Sequence, residues 1–280
     1  MRSGAAFGEY LWARRALVQP EQVGLDRDPT RKVAGLRRAE VAALAGISAE
    51  YYLRLEQGRG HVPSDAVLRA LARALVLDGA STAFMTDLAH GGVRRKDAGV
   101  VDGSVRALLA EWRHLPVLVR DRNHDVLELN QLAAALGGMP SAERGNLVVD
   151  VFTDRAREAA RGDWATTAER SVAALRLSSD PDDPRLREIV GALSTRDDDF
   201  RRLWARYDTL PWPNGRSRHA VEPIGAVELA WQEFDVPGSG VTLRVFWADP
   251  GSSDSAALAY LASVVGGHAD LRRIGGVRSA

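Results

Sequence analysis

The chain has 280 residues, of which 45% are hydrophobic and 26% are charged, ordinary values for a globular protein. It has 37 basic and 37 acidic residues, so no net charge attracts the whole molecule to nucleic acid or to an anionic membrane. It has no cysteine, which excludes disulfides, thiolate metal sites and cysteine nucleophiles. Because the sequence has neither a run of roughly 20 apolar residues nor the apolar core of a signal peptide, we expect a cytoplasmic protein.

The first 90 residues have the periodicity of short helices. Apolar side chains recur at helical spacing in five segments, at about 7–17, 36–45, 48–57, 64–77 and 81–89. Residues 1–77 contain 12 basic and 8 acidic residues, an excess of positive charge that the neutral total conceals. The pattern predicts an all-α domain of five helices over residues 1–90.

The remainder of the chain has mixed periods. Residues 91–103 are rich in glycine and charge and are predicted to be a linker. In residues 104–265, short alternating runs flank two turns, at 121–124 and 237–240, and several helical segments lie between these hairpins. This order predicts an α+β domain with one antiparallel sheet. Residues 266–280, rich in Gly, Arg and Ser, are predicted to be disordered.

Residues 36–57 carry the clearest functional signal, the spacing of a helix-turn-helix motif. Ala42 allows two helices to approach closely, Gly46 suits the left-handed backbone where the first helix ends, and Ile47 fills the angle between them. Val41, Leu44, Tyr52 and Leu55 are expected to form the shared core. The alternative is an ordinary helical hairpin without a DNA-binding role.

In such a motif the outward residues at the start of the second helix enter the major groove of DNA. The predicted DNA-binding residues are Arg37, Arg38, Ser48, Ala49, Glu50, Tyr51 and Arg54. Among them Ser48 is also expected to cap the second helix, and the two arginines at 37 and 38 lie where the first helix approaches phosphates. A protein-interaction adaptor that keeps this shape without binding DNA is a further alternative.

Several segments of the chain together resemble one family. Gly35-Leu36-Arg37-Arg38, Leu44-Ala45-Gly46-Ile47-Ser48 and Arg54-Leu55-Glu56-Gln57-Gly58 resemble the DNA-binding domain of XRE-type helix-turn-helix regulators, specifically the branch with an MmyB-like C-terminal domain. The resemblance continues through Asp163-Trp164, Phe200-Arg201-Arg202-Leu203-Trp204 and Ala248-Asp249-Pro250-Gly251-Ser252 to about residue 262. Two positions depart from the family pattern, with Leu129 where tryptophan is usual and Tyr207 where histidine is frequent.

The resemblance implies a bacterial transcription regulator with a PAS-like sensing domain and an apolar, fatty-acid-like ligand. Pockets for small molecules are mostly apolar, so aromatic side chains of residues 104–265 are candidates for lining one. The ligand-pocket candidates are Trp112, Trp164, Trp204 and Trp231. The alternative for each tryptophan is packing in the core. The domain as a whole has an alternative role, as a scaffold for dimerisation or protein interaction that binds no ligand.

The sequence contains no phosphate loop, nucleophile elbow, dinucleotide fingerprint or paired-histidine helix, so we expect no enzyme activity and no cofactor. The acidic runs at 180–183 and 197–199 fit a turn and a helix start better than a metal site, and no metal is expected. One helix-turn-helix module offers a small contact surface, which favours a homodimer on an inverted-repeat operator in double-stranded DNA.

Overall fold

A computed structural model describes residues 3–26, 31, 33–91, 99–140, 145–159 and 163–276. Its internal contacts group the chain into two compact units. The first unit comprises Met1–Arg95 and Thr166–Pro211, and the second comprises Lys96–Ala165 and Trp212–Ala280. Each unit is therefore built from two separate segments of sequence.

The N-terminal region forms the five predicted helices. They are α1 (Ser3–Leu17), α2 (Arg38–Ala45), α3 (Ala49–Glu56), α4 (Asp65–Ala74) and α5 (Gly79–Ala89), and a short 3-10 helix at Pro20–Val23 follows the first of them. Side chains cap three helix starts, since Ser48, Ser64 and Asp78 each accept a backbone N–H of the first turn.

Beyond residue 99 the described chain combines helices and strands. The strands are β1 (Val117–Arg120), β2 (Val126–Leu129), β3 (Asn214–Val221), β4 (Gly225–Asp235) and β5 (Thr242–Trp247). The helices are α6 (Gly103–Glu111), α7 (Gln131–Ala134), α8 (Leu147–Val151), α9 (Asp154–Ala159), α10 (Trp164–Ser178), α11 (Pro184–Arg196), α12 (Asp198–Ala205) and α13 (Ser253–Gly276).

The five strands form one sheet in the order β2-β1-β5-β4-β3, with every neighbouring pair antiparallel. This confirms the α+β class with an antiparallel sheet, including both predicted hairpins. The sequence alone left open whether the residues of β3 form a strand, because they are mostly polar and their alternation of polar and apolar side chains is weak. Pairing along its whole length with β4 supplies the partner that such an edge strand needs.

Both faces of the sheet are covered by helices. On one face, here called the α13 face, Leu229, Trp231 and Phe246 pack with residues of α7 and α13. On the other, the α6 face, Val117 and Val245 pack with residues of α6. Because successive side chains of a strand point to opposite faces, the sheet separates two apolar layers.

Two predicted boundaries differ from the structure. Val101, inside the predicted linker, is buried in the same apolar cluster as Val105 of α6. Residues 92–98 of that linker lie outside the described residues. At the other end of the chain α13 continues to Gly276, into the segment predicted to be disordered, because residues 268–276 contain no proline and include the helix formers alanine, leucine and arginine.

Candidate functional site

Helices α2 and α3 meet through a tight turn whose geometry follows from three residues. Gly46 has a φ of 67°, a left-handed conformation that costs a glycine little. The N–H of Ile47 donates to the carbonyl oxygen of Ala42 at 2.9 Å, which closes the end of α2. The predicted spacing therefore produces the predicted turn.

One residue of the expected core lies elsewhere. Val41, Ala42 and Ala45 form the buried stripe of α2, and Tyr52 and Leu55 face them from α3. Leu44, predicted to lie in this core, is 40% exposed. It falls one position off the stripe that runs through Val41 and Ala45, so the helix turns it outward.

The start of α3 presents a continuous exposed face. The hydroxyl of Ser48 accepts the N–H of Tyr51 at 3.1 Å, so Ser48 is the N-cap. Ala49, Glu50 and Arg54 are exposed, whereas Tyr51 is half-buried against the core. The Arg54 guanidinium lies 3.8 Å from the Glu50 carboxylate and 5.9 Å from the centre of the Tyr51 ring. The structure thus brings Glu50, Tyr51 and Arg54 together on one outward surface.

At the start of α2 the predicted phosphate-contacting residues are both exposed. Arg37 is the N-cap residue, and its backbone N–H donates to the Glu40 carboxylate at 2.6 Å. Arg31 binds the same carboxylate through two guanidinium nitrogens. This hydrogen bonding by Arg31 keeps the pKa of Glu40 below its ordinary value, so Glu40 remains charged at the helix start.

Arg38 is positioned by Glu56, a residue that was not predicted to belong to the DNA-binding surface. Its Nε donates to the Glu56 carboxylate at 2.6 Å, although half of the Arg38 side chain remains exposed. The Glu56 side chain is 3% exposed and also accepts from Nε of Arg15 at 2.6 Å. A carboxylate in the last turn of a helix is disfavoured by the helix dipole, so its place in α3 was the available sign that Glu56 has a partner.

The four ligand-pocket candidates occupy different packing environments. Trp112 packs on the α6 face and Trp231 on the α13 face, so these two lie on opposite sides of the sheet. Trp164 donates its indole N–H to the Val151 carbonyl oxygen at 2.7 Å. Trp204 stacks on Phe200 with ring centres 5.8 Å apart. Trp112 and Trp231 therefore pack in two different apolar layers of the sheet.

The α13 face has a charged group at one end. Glu233 accepts hydrogen bonds from Arg120 at 2.8 and 2.6 Å and from Arg244 at 3.0 and 2.7 Å, and all three side chains are largely buried. Arg244 also lies over the Trp231 ring, 4.0 Å from its centre. Burial raises the pKa of Glu233, but the two arginines outweigh it and the pKa is lower than usual. The apolar layer of the α13 face thus ends in a buried carboxylate, Glu233, that is paired with two arginines.

The described residues contain no group of three or more histidine, aspartate or glutamate side chains that could bind a metal ion. Among the helices in the described part of the chain, none combines the length and the apolar character needed to cross a membrane.

Comparisons with known proteins agree with this geometry. The helix-turn-helix domain family matches residues 6–85, which begin within α1 and end within α5. The family described as the MmyB-like transcription regulator ligand binding domain matches residues 101–261, which contain the whole sheet. Comparison with curated proteins found no significant match. Since the second match alone covers more than half of the chain, the protein belongs to the MmyB-like transcription regulators and joins a helix-turn-helix DNA-binding domain to a ligand-binding-type domain.

Proposed function

We propose that this regulator reads an operator with the outward face of α3 while Arg37 and Arg38 contact the phosphate backbone. The observation that carries this proposal is the joint exposure of Glu50 and Arg54 at the start of α3, beside the half-buried Tyr51. Arginine suits guanine in the major groove and glutamate accepts from cytosine, so both side chains suit base reading.

Substitutions at Arg54 and Arg38 test the two kinds of contact. Arg54→Ala should cost about 1–3 kcal/mol of binding free energy and relax the preference at one base position. Arg38→Ala should weaken binding to all sequences and reduce the salt slope by about one. Binding is measured by fluorescence anisotropy on DNA selected from a random library, at several salt concentrations.

Arg201→Ala is the matched control, since Arg201 is an exposed, ion-paired arginine on α12. The control should leave affinity, base preference and salt slope unchanged. If Arg54→Ala behaves like Arg201→Ala, α3 does not read bases.

We also propose that the regulator binds as a homodimer. A single module has a small contact surface, and two copies on an inverted repeat would place their half-sites about 34–36 Å apart, or a multiple of that spacing. Residues 104–265 contain 19 basic and 24 acidic residues, so DNA repels this region and it is the better candidate for the dimer contact. A monomer in sedimentation analysis at micromolar concentration, with a single half-site footprint, would contradict the proposal.

For the ligand-binding-type domain we propose an apolar small molecule of the fatty-acid class, bound against the α13 face. Support comes from the aromatic and aliphatic side chains of that face, among them Leu118, Trp231 and Phe246, and from the paired arginines at its end. Of the four tryptophan candidates, Trp231 is the one that belongs to this layer.

Titration of saturated C12–C18 fatty acids tests this assignment by tryptophan fluorescence. The fluorescence change should be lost in Trp231→Phe and retained in Trp112→Phe, whose substitution lies on the opposite face. Native mass spectrometry of the purified protein checks for a ligand already bound. If neither measurement detects binding, the alternative role as a dimerisation scaffold gains support.

A further inference from the structure

A group of contacts joins the DNA-binding helices to the segment that follows α12, within the first compact unit. This segment lies inside the stretch that matches the ligand-binding domain family, whereas its partners lie inside the helix-turn-helix match. We call these contacts the clasp. On the helix-turn-helix side its residues are Glu9, Tyr10, Arg14 and Ser81, and on the other side they are Tyr207, Asp208 and Thr209.

The centre of the clasp is buried and polar. The hydroxyls of Ser81 and Thr209 are 3.0 Å apart, and the Ser81 hydroxyl also lies 3.3 Å from the Thr209 carbonyl oxygen. The Tyr10 hydroxyl donates to the Ser81 carbonyl oxygen at 3.2 Å. Buried hydroxyls without partners are costly, so this set of mutual hydrogen bonds specifies how the two sides meet.

The rim of the clasp is formed by Tyr207 and Asp208. Each of these residues has one partner on α1 and a second partner on its own side of the clasp. Asp208 accepts from Arg14 of α1 at 2.7 Å and from Arg206 at 2.8 Å. The Tyr207 hydroxyl donates to Glu9 of α1 at 2.7 Å, while its ring lies 4.0 Å from the Arg176 guanidinium of α10. If the clasp opened, Asp208 and Tyr207 would each keep one partner. Opening therefore leaves no unpaired charge on the α10–α12 side.

Tyr207 also stores backbone strain. Its φ is 56°, a left-handed conformation that is unfavourable for a bulky side chain. Such conformations are strained and persist only where the surroundings impose them. The ring contacts of Tyr207 with Tyr10 and Arg176 provide those surroundings. Release of the clasp would let this strain relax.

Helix α1 connects the clasp to the DNA-binding surface. Arg14 reaches Asp208 of the clasp, and the next residue, Arg15, binds Glu56 at the end of α3. Glu56 in turn binds Arg38, the proposed phosphate contact. The backbone of α1 also touches α3 directly, since a Cβ on Gly8 would lie 2.3 Å from the Glu56 carbonyl oxygen. Movement of α1 therefore displaces Glu56 and Arg38.

We propose that the clasp is a built-in coupling element: it fixes α1 to the α10–α12 segment, and its closed state holds Glu56 and Arg38 in the arrangement that binds DNA. The inference rests on the proposed phosphate contact of Arg38. In the closed state the outward residues of α3 remain exposed, so clasp closure and DNA binding are compatible. A change in the ligand-binding-type domain then alters DNA affinity to the extent that it biases clasp opening.

The release variant is Asp208→Ala in the full-length chain, with Asp198→Ala as its control. Asp198 is an exposed carboxylate paired with Arg201 at 2.6 Å, so both substitutions remove one negative charge and at least one ion pair with arginine, but only Asp208→Ala removes an ion pair with α1. Removing a negative charge by itself favours DNA binding. We expect Asp208→Ala instead to lower affinity for the site selected by the wild-type protein by about fivefold or more. The control should stay within about twofold of wild type, the scale of a minor surface change.

A second variant, the lock variant, is designed to hold the clasp closed with a disulfide. Because the chain contains no cysteine, two introduced cysteines can pair only with each other within one molecule. Ser81→Cys/Thr209→Cys replaces two hydroxyls 3.0 Å apart with thiols. Oxidation should link them, which is checked by mass spectrometry and by protease mapping. Added to Asp208→Ala, the oxidised lock should restore wild-type affinity, and reduction should remove the rescue. Tyr207→Phe keeps the ring but loses the hydrogen bonds of the hydroxyl to Glu9 and Arg176, and it should give a smaller loss of affinity with little change in the thermal unfolding midpoint.

Three results would overturn the proposal: failure of the two thiols to link, an Asp208→Ala affinity equal to that of Asp198→Ala, or an oxidised lock without rescue. Arg38→Ala on the same DNA separates this inference from the proposed function. If Arg38→Ala leaves affinity unchanged, the phosphate contact is wrong, whereas the Asp208→Ala and lock results judge the clasp itself.

Discussion

At the scale of single residues, the buried ionisable groups include some that form ion pairs and some that stay neutral. Glu56, Glu233 and Arg120 belong to the first kind, because each forms ion pairs at 2.6 to 2.8 Å. His124 and His219 belong to the second kind, since burial lowers the pKa of each, and that of His219 reaches about 4. Neutral buried histidines make the stability of the fold depend on pH.

The sign of that dependence follows from proton binding. In the unfolded chain His219 takes up a proton below about pH 6.5, whereas in the folded chain it stays neutral down to about pH 4. Stability is therefore fully present above pH 6.5 and falls as the pH drops from 6.5 to 4. We expect a loss of about 2 kcal/mol from His219 between pH 6.5 and pH 5.

Urea unfolding at pH 7 and pH 5 measures this loss. His219→Gln cannot bind the proton in the unfolded state, so the drop between the two pH values should shrink even if total stability is lower. The exposed His114 supplies the control, His114→Gln, which should leave the drop unchanged. An undiminished drop in His219→Gln would contradict the assignment.

At the scale of elements, the contact between α1 and α3 includes a close approach of the two backbones. Gly8 is buried against the carbonyl oxygens of Leu55 and Glu56, and a Cβ there would come within 2.9 and 2.3 Å of them. Gly4 and Gly58 approach each other in the same way farther along α1. Glycine at these positions allows the backbones to approach more closely than a residue with a Cβ atom would permit.

Two glycine-to-alanine substitutions separate this effect from helix propensity. Gly8→Ala should lower the free energy of unfolding by about 1–3 kcal/mol, because backbone atoms cannot yield to the methyl group. Gly191→Ala, on the exposed side of α11, should raise it by up to about 1 kcal/mol, since, apart from the neighbouring backbone of α11 itself, no atom of the described chain lies within 4 Å of the new Cβ. Chemical denaturation measures both, and a stabilising Gly8→Ala would refute the close contact.

At the scale of the whole molecule, the compact units and the matched families divide the chain differently. Each family match is continuous in sequence, whereas the first compact unit joins Met1–Arg95 with Thr166–Pro211. Helices α11 and α12 belong to the ligand-binding match by sequence and to the DNA-binding helices by contact. The clasp therefore joins residues of two family matches within a single compact unit.

Hydrogen exchange tests whether the first unit also behaves as one unit in solution. Because regions that open together share one opening free energy, Gly8→Ala should reduce amide protection in α11 and α12 as well as in α1 to α5. Protection in β4 and β5, which belong to the second unit, should change little. A loss of protection confined to α1 to α5 would show that the α10–α12 segment is independent.

The sequence by itself determined the local features of this protein. The spacing of Ala42, Gly46 and Ile47 specified the turn between α2 and α3, and Ser48 specified the start of α3, because caps and left-handed turns depend on a few neighbouring residues. Alternating runs around two turns likewise predicted both hairpins. These features follow from short-range sterics and hydrogen bonding, which periodicity reports directly.

Tertiary structure alone decided the long-range features. It turned Leu44 outward, separated Trp112 from Trp231 by a sheet, and joined Arg38 to Arg15 through Glu56. It also brought Thr209 to within hydrogen-bond distance of Ser81, a residue 128 positions away. Such contacts depend on which faces of distant elements pack together, and helical or strand periodicity states only that a face is apolar, not which partner covers it.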